Sequence, residues 1–209
     1  MALTDKQLQI LEKAETLISE KGFDGTTVRD IADAAGVNLA MISYYFGSKE
    51  KLLESLFKER MSATRARMEG LINDPSFTVI QKINIMVDEY INKVIQKQHF
   101  YKIMLCEQVF NKNTEVIKLL KSYKFAYATL ISGLIEEGQK QKKFKKDIDV
   151  VMLLTTMTGT VTQMLINKDY YREFNGHKKL SEAAYNELLR NKLSIHVKKI
   201  FKAILGYEE

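Results

Sequence analysis

The stretch from Gly22 to Leu53, GFDGTTVRDIADAAGVNLAMISYYFGSKEKLL, constrains the fold of this chain more than any other segment. Thr27 and Asp30 have the spacing of a capping box, which marks the start of a helix. That helix is expected to end at Gly36, because glycine readily adopts the left-handed conformation that a sharp exit requires. The segment therefore predicts a short helix followed at once by a tight turn.

A second short helix is predicted directly after this turn. Asn38 is a good N-cap for a helix over Leu39 to Tyr45, and Gly47-Ser48 ends that helix. Ala32 is small where the two helices would cross, and Ile42 can fill the core beneath them. This spacing is typical of a helix-turn-helix, whose second helix enters the DNA major groove, although an ordinary helical hairpin carries similar signals.

The motifs around the turn resemble the DNA-binding segment of TetR-type transcriptional regulators. In that family four motifs recur together, and here they are Ile31-Ala32, Ala35-Gly36-Val37, Tyr45-Phe46 and Ser48-Lys49-Glu50. The resemblance covers roughly residues 5–60. It implies an all-α chain with a three-helix helix-turn-helix DNA-binding head at residues 1–64 and a larger helical effector-binding and dimerisation body at residues 65–209.

The same resemblance implies a sequence-specific DNA-binding transcriptional regulator of the bacterial cytoplasm. Members of the family bind a palindromic operator as homodimers and tend to be repressors that a small-molecule effector releases, although nothing in these residues decides between repressor and activator. A dimer is also expected on physical grounds, because one short helix makes too few contacts for tight, specific binding. Two copies can read half-sites about 34 Å apart.

The expected base contacts lie at the start of the second helix, which we call the recognition helix. Leu39 and Met41 can offer apolar contacts to a thymine methyl group, and Ala40 is small enough for close approach to the groove. Tyr44 is a candidate for a base or a backbone contact. The complete predicted DNA-binding set is Thr27, Asn38, Leu39, Ala40, Met41, Ser43, Tyr44, Tyr45 and Lys49.

Phosphate contacts are expected around the recognition helix. By resemblance, Thr27, Tyr45 and Lys49 occupy positions at which family members commonly touch phosphate. Ser43 stands where many members carry tyrosine, so one backbone contact of the family is in doubt here. For Tyr44 and Tyr45 the alternative interpretation is simple packing against the head.

The overall charge of +6 does not by itself indicate nucleic-acid binding. Residues 1–50 contain five basic and eight acidic side chains, a net charge of −3. The positive excess lies downstream, for example in the lysines at 140, 142, 143, 145 and 146, where a solvated loop is the favoured interpretation. The DNA-binding hypothesis therefore depends on the placement of individual side chains rather than on bulk charge.

The body is predicted to consist of about five helices. Asp74 is expected to cap the first of them, with Pro75 at its first helical position. The hydrophobic periodicity predicts helices over residues 77–98, 99–110, 114–140, 150–167 and 181–205.

The last two of these helices are the expected dimer interface. Residues 150–167 contain no charged side chain, which predicts a helix buried nearly all round, and Gly159 and Thr160 permit close approach of a neighbour. Residues 181–205 present a wide apolar face. Two such faces exceed what one core needs, so we predict that both helices pair with their copies in a C2 homodimer.

An effector pocket is expected between the helices of the body, by resemblance to the family. Methionine and aromatic side chains make adaptable apolar walls, and tyrosine hydroxyls and an amide can act as polar anchors for an apolar or aromatic small molecule. The alternative interpretation is that each of these residues is ordinary core. The candidates are Met86, Tyr90, Met104, Phe110, Tyr123, Tyr127, Met157 and Gln163.

Other classes of protein are less well supported. Cys106 is the single cysteine, so no internal disulfide can form. Three scattered histidines, and the absence of a glycine-rich phosphate loop or metal-ligand spacing, give no motif for an enzyme, a cofactor or a metal. No apolar run approaches the ~18 residues of a membrane span, and no signal segment is recognised. A protein-binding helical adaptor remains an alternative.

Overall fold

The computed structural model describes residues 3–110 and 113–208, and the chain is all-α, as predicted. No strand occurs within those two ranges. Most connections are short, and the helix bounds of the body agree closely with the hydrophobic periodicity. The helices of the described residues are α1 (Asp5–Lys21), α2 (Val28–Ala35), α3 (Leu39–Phe46), α4 (Lys49–Asn73), α5 (Val79–Gln96), α6 (Gln98–Phe110), α7 (Thr114–Lys140), α8 (Val150–Ile166), α9 (Lys168–Phe174) and α10 (Glu182–Leu205).

The chain divides into two compact units. One comprises Met1–Ala66 and His99–Lys124, and the other comprises Arg67–Gln98 and Phe125–Glu209. The segment His99–Lys124 thus belongs to the same compact unit as the helix-turn-helix.

The head is built from locally capped helices that cover a shared core. Thr4 and Gln7 form a capping box at the start of α1, and α1 packs on α2. The Gln9 side chain donates a 3.0 Å hydrogen bond to the Ala35 carbonyl, which satisfies a carbonyl at the end of α2. Ala32 is 2% exposed, as expected for a small residue at the crossing of two helices.

α6 is part of the first compact unit through an aromatic contact and a polar contact. The Phe57 ring, from α4, is fully buried and its centroid lies 5.0 Å from that of Phe100 on α6. Ser19, near the end of α1, is hydrogen-bonded to Nδ1 of His99. The hydroxyl of Ser19 also donates to the Thr16 carbonyl at 2.8 Å. α6 is therefore held against the head by groups from both α1 and α4.

An ion pair between Glu15 and Arg60 joins α1 to α4. Nε of Arg60 donates to the Glu15 carboxylate at 2.7 Å. The Arg60 side chain is only 18% exposed and the Glu15 side chain only 9%. Taking two such charges out of water is costly, and their attraction offsets that cost only while both partners are present.

Arg60→Met is expected to lower the free energy of unfolding by about 3 kcal/mol, because it leaves the Glu15 carboxylate buried without its partner. Chemical denaturation measures this change. Lys58→Met, at a largely exposed side chain two residues away, is the matched control and should change stability little. The double variant Glu15→Leu/Arg60→Met should recover most of the loss, and a double variant as unstable as Arg60→Met would contradict this account.

The second unit has three helices at its centre. α5, α8 and α10 pack against one another in pairs, and α9 packs on α8. Asp88 of α5 accepts a 2.6 Å hydrogen bond from the Ser194 hydroxyl of α10 and forms an ion pair with Lys198. The loop before α8 is tied to the end of α10, because the Lys145 backbone N–H donates to the Leu205 carbonyl at 2.8 Å.

Two local expectations about helix starts and helix number were wrong. α5 begins at Val79 with Thr78 and Gln81 as a capping box, whereas Asp74 accepts hydrogen bonds from the backbone and hydroxyl of Ser76 in a preceding turn. The segment 168–174 forms α9, a helix that was not predicted. Both errors arise where several residues can cap or break a helix and tertiary packing selects among them.

α8 is not buried nearly all round in a single chain, contrary to the expectation from its apolar sequence. Val151, Met152 and Ile166 have exposed fractions of 63%, 62% and 62%. The opposite side, with Leu153, Met157 and Val161, is buried. Within the described ranges no single helix is long and apolar enough to cross a membrane, and α8 reaches that measure only together with α9, across a 72° bend.

Candidate functional site

α3, the predicted recognition helix, has one buried side and one solvent-facing side. Ile42 and Phe46 are 1% and 6% exposed and attach the helix to the head. Tyr44 is 84% exposed and Leu39 is 40% exposed. The solvent-facing predicted residues are Asn38, Leu39, Ala40, Ser43 and Tyr44, whereas Met41 and Tyr45 are half-buried.

The turn between α2 and α3 has the predicted geometry. Gly36 adopts the left-handed conformation, with φ 60° and ψ 41°, and its backbone N–H donates to carbonyls near the end of α2. Asn38 caps α3, because its side-chain oxygen accepts a 3.0 Å hydrogen bond from the Ala40 N–H. Local hydrogen bonds therefore fix the direction in which α3 leaves the turn.

The capping box at the start of α2 is also confirmed. The Asp30 N–H donates to the Thr27 hydroxyl oxygen at 3.0 Å, and the Asp30 carboxylate accepts from the Thr27 backbone N–H at 2.8 Å. This N–H, and then the Thr27 hydroxyl, lower the pKa of Asp30. The Thr27 hydroxyl therefore has a hydrogen-bonding role in the free protein besides any contact with phosphate.

Two tyrosines form an aromatic pair at the end of α3. The rings of Tyr44 and Tyr45 are edge to face, with centroids 5.3 Å apart, and the Tyr45 ring lies 6.3 Å from that of Phe46. Tyr45 is thus held in place by contact with Phe46 and Tyr44, and Tyr44 is exposed to solvent. Tyr45 is therefore partly a packing residue, as in the alternative interpretation, whereas Tyr44 is not.

Lys49 is half-buried, and its ammonium group is hydrogen-bonded within the protein. Its ammonium donates to the carbonyl oxygens of Phe23 and Thr26 at 2.8 and 2.9 Å, and lies 4.2 Å from the centroid of the Phe23 ring. This contact was not predicted from the sequence, although Phe23, in the loop before α2, is an aromatic residue that can contact a lysine. The start of α4 is capped by Ser48, whose hydroxyl oxygen accepts from the Lys51 N–H at 3.2 Å.

The predicted effector residues are distributed over both compact units. Met104, Phe110 and Tyr123 belong to the first unit, and the other five belong to the second. Phe110 is 66% exposed and Gln163 is also exposed, so neither lines an interior pocket in this structure. Met86 and Met157 are buried, on α5 and α8, and Tyr90, Met104, Tyr123 and Tyr127 are half-buried.

Two cavities in the first unit are lined by other residues. A small cavity of about 30 Å³ lies between the end of α1 and α6 and is lined by Ile18, Ser19, Gly22, Phe23, Lys102, Ile103, Cys106 and Glu107. Cys106, the single cysteine, is exposed. A wider groove of about 330 Å³ lies between α4 and α7 and is lined by Glu54, Lys58, Glu115, Lys118, Leu119 and Ser122. No cluster of three or more metal-binding side chains occurs among the residues that the structure describes.

Known proteins with similar sequences are transcriptional regulators. The family of bacterial regulatory proteins, tetR family, matches residues 10–56. The fatty acid metabolism regulator protein of Bacillus subtilis is 29% identical over 170 residues, or 79% of this chain and 87% of that protein. The HTH-type transcriptional repressor KstR2 of Rhodococcus jostii is 27% identical over 169 residues, or 74% of this chain and 76% of that one.

A solved structure shares the fold. The crystal structure of the transcriptional regulator FadR from Bacillus subtilis in complex with stearoyl-CoA aligns with a TM-score of 0.68 and 24% identity. The alignment covers 91% of this chain and 96% of that chain. At this level of identity the likeness concerns the fold.

The capped helix-turn-helix, its solvent-facing second helix and these relatives define a DNA-binding transcriptional regulator rather than an enzyme. The chain belongs to the TetR family of bacterial transcriptional regulators.

Proposed function

We propose that this protein is a cytoplasmic repressor that binds a palindromic operator as a homodimer and is released by an effector with a long apolar chain. The observation that carries the proposal is the two-sided recognition helix, with Ile42 and Phe46 buried and Tyr44 84% exposed, in the segment that matches the TetR family. Isolating the genomic fragments that the protein retains tests this function directly. A palindromic site with half-sites about 34 Å apart is expected, and retention without any shared sequence would contradict it.

The proposed division of DNA contacts follows the exposure of each side chain. Asn38, Leu39 and Ala40 face solvent at the start of α3, where base edges are usually met. Tyr44 is 84% exposed and can reach a base or the backbone. Thr27, Ser43 and Tyr45 are proposed phosphate contacts, and half-buried Met41 a secondary apolar one. Lys49 requires a separate account, because its ammonium already binds two carbonyl groups.

Homodimerisation is proposed through α8 and α10. The exposed side of α8 forms a continuous stripe, and α10 adds Ile195, which is 57% exposed. The two helices pack against each other in one chain, so their outer sides can form a common surface. An uncharged exposed stripe with several large apolar side chains supports a partner copy, and α8 and α10 from two chains would make a four-helix interface. The α8 stripe comprises Val151, Met152, Thr155, Gly159, Gln163 and Ile166.

A fatty acyl thioester is the proposed effector. One relative is a fatty acid metabolism regulator, and FadR of Bacillus subtilis was crystallised with stearoyl-CoA. In this chain, buried Met86 and Met157 stand on the packed helices α5 and α8, where flexible methionines can rearrange around an acyl chain. The half-buried Tyr90 on α5 supplies a polar anchor at the same helix.

Displacement of α6 is the proposed route from effector to DNA. Within the first unit α6 contacts the head through the His99 and Ser19 pair and the stack of Phe100 on Phe57. An effector that favours another position of α6 would therefore change the support of α1 and α4, which flank the helix-turn-helix.

Saturating stearoyl-CoA is expected to weaken operator binding about tenfold or more, because the effector and the operator would prefer different states of the dimer. Fluorescence anisotropy of a labelled operator measures this change. Free coenzyme A and free stearate, tested at the same concentrations, separate the contributions of the headgroup and the chain. Operator affinity that is unchanged when calorimetry shows bound stearoyl-CoA would contradict the proposed release.

A further inference from the structure

The turn between α1 and α2, residues 22–27, is a compact unit with internal hydrogen bonds. The Thr26 hydroxyl donates to the Gly22 carbonyl at 2.8 Å, and the Thr26 N–H donates to the Phe23 carbonyl at 3.3 Å. Thr26 itself is fully buried. These bonds order the turn internally but provide no connection to the far end of the helix-turn-helix.

Lys49 provides that connection. It is the first residue of α4, and its ammonium donates to the carbonyls of Phe23 and Thr26, which lie 26 and 23 residues earlier in the chain. The cation also lies over the Phe23 ring at 4.2 Å from the centroid. Two of the three N–H groups of the ammonium thus bind carbonyls of the turn, and one side of the cation contacts the Phe23 ring.

The two segments joined by Lys49 border the DNA-binding elements. Thr26 immediately precedes Thr27, the N-cap of α2, and only Gly47 and Ser48 separate Lys49 from Phe46, the last residue of α3. A link between them therefore fixes the start of α2 relative to the end of α3, which is the relation that determines how the recognition helix is presented.

We propose that Lys49 is a positioning residue for DNA binding, which acts by holding the 22–27 turn against the start of α4 rather than by binding phosphate. The inference refines the proposed operator binding and differs from the expectation from family resemblance. A phosphate ligand acts through its charge at the DNA surface, whereas a positioning residue acts through the geometry of the free head. The two roles can be separated because only the second is measurable without DNA.

The first experiment uses the full-length protein without DNA. Lys49→Met should increase amide hydrogen exchange in residues 22–28 at least severalfold, because the turn loses its link to α4. Lys51→Met removes an equal charge from an exposed position in the same helical turn and should leave that exchange unchanged. Lys49→Arg keeps the cation and the donors and should restore protection. Unchanged exchange in Lys49→Met would overturn the proposal, whether or not an operator has been found.

The second experiment measures operator affinity against salt concentration, at a temperature where every variant is folded. Lys49→Met is expected to lose about tenfold in affinity, as for one charge-assisted hydrogen bond, with the slope of log K against log salt unchanged. A slope reduced by about 0.9 would overturn the proposal and assign Lys49 to phosphate. Equal affinity losses in Lys49→Met and Lys51→Met would also overturn it, because a general loss of positive charge would then suffice.

Phe23→Leu extends the test without any change of charge. It removes the ring beneath the ammonium and retains an apolar side chain and the carbonyl acceptor. Affinity about two- to threefold weaker than that of the original protein is expected, again with an unchanged salt slope. Wild-type affinity in Phe23→Leu together with normal exchange in the turn would overturn the role of the ring.

Discussion

Ala40→Glu is expected to reduce operator affinity about a thousandfold, to the level of binding without sequence preference. Ala40 is exposed in the first turn of α3, and its N–H is already satisfied by the Asn38 cap. A longer, negatively charged side chain would therefore leave the head folded while blocking close approach to the groove and repelling phosphate. Anisotropy titrations with the selected operator measure the loss.

The matched control for this prediction is Ala34→Glu. Ala34 is exposed on α2, so the control introduces the same side chain and charge in the same head, outside the recognition helix. Its affinity should stay within a few-fold of the original. If the two variants lose affinity equally, charge rather than location is responsible, and α3 has no special role in recognition.

Gly159→Arg is expected to convert the proposed homodimer to monomers and to reduce operator affinity about a thousandfold through the loss of simultaneous binding to two half-sites. Beyond its chain neighbours and the adjoining backbone of α8, a side chain at Gly159 would meet no atom within 4 Å of its first carbon, so a single chain can accommodate it. Across a C2 interface, the same position would be too close to the partner helix for an arginine. Analytical ultracentrifugation and operator titration measure the two effects.

Gly133→Arg is the control for a large cation introduced into a helix at an exposed glycine. Gly133 lies on α7, and a side chain there also meets no atom within 4 Å of its first carbon. This variant should remain dimeric. A Gly159→Arg protein that sediments as a dimer would exclude α8 from the interface.

The helix ends of the head were predictable because each is determined by residues close in sequence. The Thr27–Asp30 capping box, the left-handed Gly36 and the Asn38 cap all form as expected, since a side chain need only reach the backbone two or three residues away. The start of α5 was not predictable in this way. Asp74 and Thr78 are both good caps, and the structure uses the second for the helix and the first for a turn.

The exposure of individual site residues was predictable only in part. Helical periodicity places Ile42 and Phe46 on one side of α3 and Tyr44 on another, so their different exposure was predictable. The hydrogen bond from Lys49 to the Phe23 carbonyl depends on where the loop that contains Phe23 lies after folding. No local sequence pattern encodes that position. Phe110 was predicted to line the pocket because it is apolar. Its burial also depends on tertiary packing, and it is 66% exposed.

The first compact unit is assembled from two separate stretches, Met1–Ala66 and His99–Lys124. A chimera that grafts a new operator specificity onto this body by exchanging only the first 66 residues would place a foreign α1 and α4 against the resident His99 and Phe100. The partners of those two side chains, Ser19 and Phe57, would then come from the donor protein. Transplanting both stretches together keeps these contacts within one parental sequence, and it identifies α6 as part of the module that a protein engineer should move.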